Sequence, residues 1–342
     1  MHKREKTNVY QSDPYIARLI EVARAYYLND QTQAEIARSL GISRSQVSRY
    51  LSTARKLGLV EIRIVSPEAY DATLELALRA RFPHLRSVVV APSLSDDPDA
   101  VRTMIGRFAA KLLVSVLHPG CRLALGCGRT LRSMVEALPE ARVPGMAVVQ
   151  AMGNIGHEAH RIDYNEIARH AAEVLGGQVY YVSAPAILGN GSGSAADLVR
   201  ANPPLDFALT TARRADVYVV GIGSIESDQL YVRSGLIQAA EFDDLRGRAV
   251  GDICGRFFDL EGREQVSAFA SRIIGVELAD LQNASYAIGV AGGQDKVLPL
   301  LGALRGAFIN AVVSDERTIQ KILEVDDAMR REEKDHPLSS PQ

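Results

Sequence analysis

The sequence contains no tryptophan and only three cysteines among 342 residues. Cys121, Cys127 and Cys254 form no Cys-x-x-Cys pair. A sparse, odd set of this kind excludes a disulfide-framed scaffold and a cysteine-built zinc site. No apolar run approaches the ~18 residues needed to cross a bilayer, so no membrane partner is expected. Residues 1–14 are polar and lack the apolar stretch of a secretory leader. Together these absences place the protein in the cytoplasm. His157-Glu-Ala-His160 lacks the spacing of a helical zinc motif, and no Ser-His-Asp or Cys-His arrangement stands in supporting context. No metal, cofactor or catalytic residue is therefore expected.

What is present describes a globular chain. Hydrophobic residues are 47% and charged residues 23%, and the length suggests about two domains. The net charge of -2 hides an asymmetry. Residues 1–66 hold 11 Lys/Arg against 6 Asp/Glu, a local +5, which leaves -7 on the remainder. A basic head on an acidic body suggests that only the head meets a polyanion.

The head carries two helix-opening signatures in succession. Ile16, Leu19, Ile20, Ala23 and Tyr27 recur at helical spacing. Thr32-Gln33-Ala-Glu35 and Ser43-Arg44-Ser45-Gln46 are capping boxes, each opening a further helix. Small Ala37, the break at Gly41 and apolar Val47 form the pattern of two helices joined by a tight turn. The opposite face of the third helix holds Arg44, Ser45, Gln46, Ser48 and Arg49. Arg and Gln can bond base edges in a major groove, and Ser can reach bases or phosphates. Thr32, Gln33, Ser43, Arg38, Arg55 and Lys56 flank that face and suit phosphate. Glu61 to Val65 alternates as a short strand, either a wing or a linker. Double-stranded DNA is the expected partner. A plain helical hairpin explains the amphipathicity but not the joint occurrence of these signals.

In the body, apolar runs alternate with amphipathic stretches. Candidate strands are Ser87–Ala91, Arg122–Leu125, Ala147–Ala151, Val179–Val182, Val217–Val220, Ala249–Ile253, Tyr286–Val290 and Ile309–Val313. Helices are expected near 98–117, 129–138, 164–175, 195–201, 237–245, 277–282, 295–304 and 315–325. This alternation predicts a doubly wound α/β domain with a mainly parallel sheet. Glycines follow the strands: Gly126 and Gly128, Gly153, Gly221 and Gly223, and Gly292 and Gly293, with Gly251 inside one. Ligands bind beyond the carboxyl ends of such strands, and glycine there lets backbone amides approach them.

Gly126-Cys127-Gly128-Arg129-Thr130 is the strongest of these turns and suits a phosphate group. Leu131 stands where a dinucleotide fingerprint requires a third glycine, and no Gly-Lys-Ser/Thr ending is present. Asn165 suits a hydroxyl, Asp252 suits sugar hydroxyls or a helix cap, and Lys296 suits a phosphate or plain solvent.

The head segment Gln33 to Arg49, with Lys56-Leu-Gly-Leu-Val60 after it, resembles the SorC/DeoR-like sugar-binding bacterial transcriptional regulators. In the body, Ala124 to Leu131, Asn165 to Arg169, Ser183 to Ala186, Gly221 to Ser224, Gly247 to Asp259, Ala291 to Lys296 and Ala303 to Gly306 are similar to the same family. The likeness spans nearly all of residues 15–320. It implies a winged-helix-like helix-turn-helix DNA-binding domain over 1–66. It also implies an effector and oligomerisation domain over 67–330, related in fold to sugar-phosphate isomerases, with a polar tail at 331–342. The resemblance further implies a phosphorylated sugar or polyol effector, homodimers or homotetramers, phosphate held by Gly126, Gly128, Arg129 and Thr130, and effector contacts from Asn165, Asp252 and Lys296. Cys127 and Arg129 are bulkier than the residues some relatives carry in that turn. The competing expectation is a sugar-phosphate isomerase or deaminase with an accessory helical domain, using Asp252 and Glu166. An apolar partner protein for the head is disfavoured, because its exposed face is basic and hydroxyl-rich.

Overall fold

The computed structural model of the protein describes residues 14–60, 72–156, 163–226 and 230–335. The chain divides into two compact units, Met1–Pro67 and Glu68–Gln342. The expected strand at Glu61 to Val65 and the pair His157 and His160 lie outside the described residues.

The first unit contains three helices, α1 (Pro14–Tyr27), α2 (Gln33–Leu40) and α3 (Arg44–Lys56). Both capping boxes form. The Thr32 hydroxyl accepts from the Glu35 amide at 3.3 Å while Glu35 Oε2 accepts from the Thr32 amide at 2.8 Å. The Thr32 hydroxyl also donates to Glu35 Oε2 at 2.7 Å, and this bond together with that from the Thr32 amide holds the Glu35 carboxyl below the usual carboxylate range. Ser43 and Gln46 repeat the arrangement at α3. Gly41 ends α2 at φ +63°. Val22, Ile36, Ala37, Val47 and Leu51 form one buried cluster, and Leu19, Ala23 and Ala54 form a second.

The second unit alternates helix and strand in the order α4 (Ala72–Arg81), β1 (Ser87–Ala91), α5 (Pro98–Val116), β2 (Arg122–Leu125), α6 (Arg129–Glu136), β3 (Ala147–Gln150), α7 (Tyr164–Leu175) and β4 (Gln178–Tyr180). It continues with α8 (Ala195–Arg200), α9 (Pro203–Arg213), β5 (Val217–Gly221), β6 (Gly223–Ser224), α10 (Leu230–Arg233), α11 (Ala239–Asp243), β7 (Gly251–Ile253), β8 (Arg256–Phe258) and β9 (Glu264–Gln265). It closes with α12 (Leu278–Gln282), β10 (Tyr286–Val290), α13 (Val297–Arg305), β11 (Ala311–Asp315) and α14 (Glu316–Asp335).

Seven of the strands form one sheet in the order β1-β11-β10-β5-β2-β3-β4, with every neighbouring pair parallel. Alternate side chains serve opposite faces, as strand geometry requires. Val217 and Val219 join the cluster under α5, α6 and α7, together with Leu123, Leu125 and Val313. Tyr218 and Val220 join the other cluster, with Ala124, Val312 and residues of α12, α13 and α14. Burial on both faces explains why these strands read as continuous apolar runs.

Ala249–Ile253 is the exception among the expected strands. Its residues Gly251–Ile253 form β7 in a separate antiparallel sheet, β6-β7-β8-β9. The reason is local. Cys254 and Gly255 lie at φ +51° and +80°, the conformation of a two-residue hairpin turn, so the chain doubles back. Helices α4, α9 and α10 are not among those expected. Leu205, Ala208, Leu209 and Ala212 nevertheless follow helical spacing along α9 and are buried, behind an Asn202 cap. Helix α14 runs to Asp335, five residues into the segment read as a polar tail.

Asp326 explains part of that extension. Its side chain is fully buried and accepts from Arg305 Nε at 3.0 Å, Arg305 Nη2 at 2.7 Å, Arg330 Nε at 2.7 Å and Arg81 Nη1. Arg81 also grips Asp327. Burial pushes the Asp326 carboxyl up, but bonds from Arg81, Arg305 and Arg330 outweigh it and leave the group below its ordinary value. Asp326→Ala strands Arg81 and Arg305 and is expected to cost about 3–5 kcal/mol, measured by denaturant unfolding. Because the folded value is depressed, the contribution of Asp326 is present above its unfolded pKa and fades as pH falls below about 4. A variant as stable as the parent at pH 7 would contradict this.

Candidate functional site

Two surfaces carry the expected functional residues, one in each unit. In the first unit, Arg44, Ser45, Ser48 and Arg49 are exposed on α3, and Arg55 and Lys56 are exposed in its last turn. Positions 44 and 48, and 45 and 49, are four apart and share a face. Thr32 and Ser43 are exposed at the helix starts, where they act as caps, and Gln33 is half-buried. Gln46 differs from its expected role. Its Oε1 accepts from the Ser43 amide at 3.0 Å and from the Ser43 hydroxyl at 3.2 Å. A bidentate contact of Gln46 to a base therefore requires this cap to open.

In the second unit, a cleft of about 1200 Å³ lies at the carboxyl ends of β2, β5, β10 and β11. Its walls contain Gly126, Cys127, Gly128, Arg129, Thr130, Gly221, Gly223, Asp252, Gly292, Gly293 and Lys296. Gly128 stands at φ +141°, a conformation open to glycine, and caps the start of α6 immediately before Arg129 and Thr130. Gly293 donates its amide to Asp315 Oδ2 at 2.9 Å and to the Thr318 hydroxyl at 2.8 Å. Lys296 is largely buried and lies 3.4 Å from Asp295.

Gly153 and Asn165 stand elsewhere. A Cβ on Gly153 would lie 2.5 Å from the carbonyl oxygens of Ala184 and Pro185, so this glycine serves backbone packing behind β3. Asn165 Oδ1 accepts from Gln150 Nε2 at 2.9 Å, while Gln150 Oε1 accepts from the Val182 amide at 2.8 Å. Asn165 thus braces a buried side chain across β3 and β4 and is not part of the cleft wall. Glu166 is exposed on α7 and also stands outside the wall, so the two candidate carboxylates of the enzyme reading do not share the cleft.

The structure also brings residues to the cleft that the sequence reading passed over. Arg102, Arg233, Arg317 and Lys321 join Arg129 and Lys296, giving six cationic side chains in a wall that also holds Asp96, Asp252, Asp295 and Asp315; Arg102 and Lys321 are paired with Asp99 and Glu324 just outside it. Asp315 is the hub of one wall. Its Oδ1 accepts from the Ser93 hydroxyl and the Thr318 amide, both at 3.1 Å. The local signal was Asp315-Glu-Arg-Thr318 directly after an apolar run, a helix-opening pattern. Tyr231, Thr318 and Ser95 also line the cleft. Among the described residues, no group of three His, Cys, Asp or Glu side chains is placed to hold a metal ion, and no helix is long and apolar enough to cross a membrane.

Cys127 and Cys254 both face this cleft, yet neither is poised to react. Burial pushes the Cys127 thiol up to about 12, and it raises Cys254 and Cys121 as well. The thiolate is the reactive form. Iodoacetamide at pH 8 is expected to label the native protein at least ~100-fold more slowly than free cysteine, read by mass spectrometry. One thiol labelled at the free rate would contradict the assignment.

Residues 54–324 match the model of the family described as "Putative sugar-binding domain", and residues 18–57 match that of sigma-70 region 4. The chain is 32% identical over 307 residues to the deoxyribonucleoside regulator of Bacillus subtilis (strain 168), covering 89% of this chain and 96% of the relative. It is 33% identical over 308 residues to the transcriptional regulator LsrR of Enterobacter sp. (strain 638), covering 88% and 91%. The crystal structure of the full-length sorbitol operon regulator SorC from Klebsiella pneumoniae matches with a TM-score of 0.69 at 32% identity, covering 91% of this chain and 99% of that one. A helical head joined to a parallel-sheet domain with a cationic cleft, matched over most of its length by such relatives, belongs to the SorC/DeoR-like family of sugar-binding transcriptional regulators.

Proposed function

We propose that the cleft takes a phosphorylated sugar or polyol and that its occupancy governs operator binding by α3. The observation that carries this reading is the turn from Gly126 to Thr130. It opens α6 with backbone amides, an arginine and a hydroxyl at the end of a parallel strand, inside a cleft lined by six cationic side chains. Helix starts of this kind favour anions. Lys296 and the Gly292-Gly293 turn face the same space from β10, and Asp252 faces it from β7. Two relatives carry names that refer to deoxyribonucleosides and to a sorbitol operon, which suits a carbohydrate ligand here.

In the head, Arg44, Ser45, Ser48 and Arg49 read base edges from the exposed face of α3. Thr32, Gln33, Ser43, Arg55 and Lys56 hold the phosphate backbone, and Gln46 reads a base only when its cap opens. Dimers, alone or paired into tetramers, place two such heads on half-sites one helical turn or a multiple apart. The ligand acts by binding the DNA-competent and incompetent states with different affinities.

Two measurements test this reading. In mobility-shift titrations on the protein's own promoter, Arg44→Ala is expected to cost about 1–3 kcal/mol at one operator position, whereas Lys56→Ala lowers the salt slope by about 1 and leaves base preference intact. Equal loss on every sequence for both variants would contradict the division. In a thermal-shift screen of sugar and polyol phosphates, a ligand at ~100 times its Kd stabilises by roughly 2.7 kcal/mol. Arg129→Ala and Lys296→Ala are expected to remove the shift, and an undiminished shift in both would overturn the cleft assignment.

A further inference from the structure

The chain contains eight asparagines, and only Asn190 is followed by glycine. Asn165, Asn202, Asn283 and Asn310 commit their side chains to hydrogen bonds with Gln150, Leu205, Ala279 and Ala287. Asn190 and Gly191 differ. Both are exposed, and they form the centre of a turn closed by one bond, from the Ser192 amide to the Gly189 carbonyl at 3.2 Å. Among the described residues, neither the Asn190 side chain nor the Gly191 amide enters a hydrogen bond. Gly191 stands at φ +85°, and a Cβ there would meet nothing within 4 Å. The ends of this segment are anchored. Leu188 bonds Arg272 through its amide at 2.9 Å and its carbonyl at 2.8 Å, and the Ser194 hydroxyl caps α8 by accepting from the Asp197 amide at 3.2 Å. The turn between them can change shape without disturbing either anchor.

An asparagine side chain is short enough for the next backbone nitrogen to reach its Cγ and close a five-membered ring. A side chain on the next residue obstructs that approach, and a hydrogen bond to the attacking amide or a rigid backbone prevents it. Glycine removes the first obstacle, because it has no Cβ and moves freely between backbone conformations. The open turn removes the others.

We propose that Asn190 is a modification site at which the protein deamidates spontaneously. The Gly191 nitrogen gives its proton to solvent base and bonds to Asn190 Cγ. The Cγ–Nδ2 bond breaks, and the amide nitrogen takes up a proton and leaves as ammonia, so the ring is a succinimide. Water then adds to one of the two ring carbonyls and breaks its bond to the Gly191 nitrogen. Addition at Cγ gives aspartate. Addition at the backbone carbonyl gives isoaspartate, in which the chain runs on through Cγ and the main-chain carboxylate is free. Water is the only co-reactant, and nothing is oxidised or reduced. Either product puts a carboxylate in place of a neutral amide, and isoaspartate also lengthens the backbone by one methylene. The free carboxylate of isoaspartate is the group that methyltransferases specific for isoaspartyl residues esterify, so the modified turn is a substrate for that class of enzyme.

The test incubates the native full chain at mildly alkaline pH. It follows residue 190 by peptide mass spectrometry, by released ammonia and by methylation with a purified isoaspartyl methyltransferase. Asn190 is expected to convert ahead of the other asparagines, releasing ammonia in step and giving two separable product peptides, of which only the isoaspartyl one is methylated. The native rate is expected to lie within about tenfold of the rate in the urea-unfolded chain, because a turn held by one bond opens at little cost. Asn190→Gln keeps an amide in the exposed turn but its longer side chain cannot close a five-membered ring, so methylation of this peptide is expected to vanish. Gly191→Ala is expected to slow conversion. Asn190 that stays intact in the native chain while the unfolded chain converts overturns the proposal. So does conversion of Gly191→Ala at the parent rate, or methylation of the same peptide that persists unchanged in Asn190→Gln.

Discussion

Parallel pairing imposes one condition on the body: every strand of the seven-stranded sheet ends on the same edge. At that edge the chain must turn into the next helix, leaving unpaired backbone amides and helix starts crowded together. The cleft is where four of these ends converge. Its glycines, its helix amino terminus and its cations are consequences of that convergence. The same condition explains the Asp315 hub, which takes up donors from Ser93, Gly293 and Thr318 where adjacent strand ends would otherwise leave them unmatched.

Much of this architecture was legible in the sequence, and the reasons are local. Capping boxes at Thr32 and Ser43 depend on residues three apart, and both form as read. Strands buried on both faces write themselves as apolar runs, so β1, β2 and β10 match the expected bounds. The hairpin at Cys254-Gly255 escaped notice because β7 shares its composition with a parallel strand. Its turn uses a cysteine at positive φ, where glycine or asparagine is usual. Tyr231, Arg317 and Lys321 escaped notice for a different reason. Nothing within a few residues of them signals a ligand, and only the tertiary fold brings them to Gly126 and Gly293. Gly153 and Asn165 show the converse. Position after a strand was a sound general cue, but β3 ends beside Ala184 and Pro185, and those carbonyls fill the space a ligand would need.

Charge is distributed differently in the two units. The body is acidic overall, yet its cleft gathers six cations, of which Arg102 and Lys296 are half-buried and Arg129, Arg233, Arg317 and Lys321 are exposed at its rim. The head achieves its effect differently, with exposed arginines on one helix face and its acid Glu35 committed to a cap. A polyanionic duplex meets a solvated, salt-sensitive surface. The cleft is instead a walled site, where the proposed phosphate is to be recognised by fixed geometry as well as charge.

Helix α14 belongs to the cleft and to something beyond it. Its opening turns supply Arg317, Thr318 and Lys321 to the cleft wall, and Asp326 clasps Arg81, the last residue of α4. Nine positions separate Arg317 from Asp326, about 13 Å of helix axis at 1.5 Å per residue. Over that span the continuous helix makes the cleft wall and the Arg81 clasp parts of one element. Helix α4 is the first described element of the second unit, so α14 ties the cleft to the point where that unit begins.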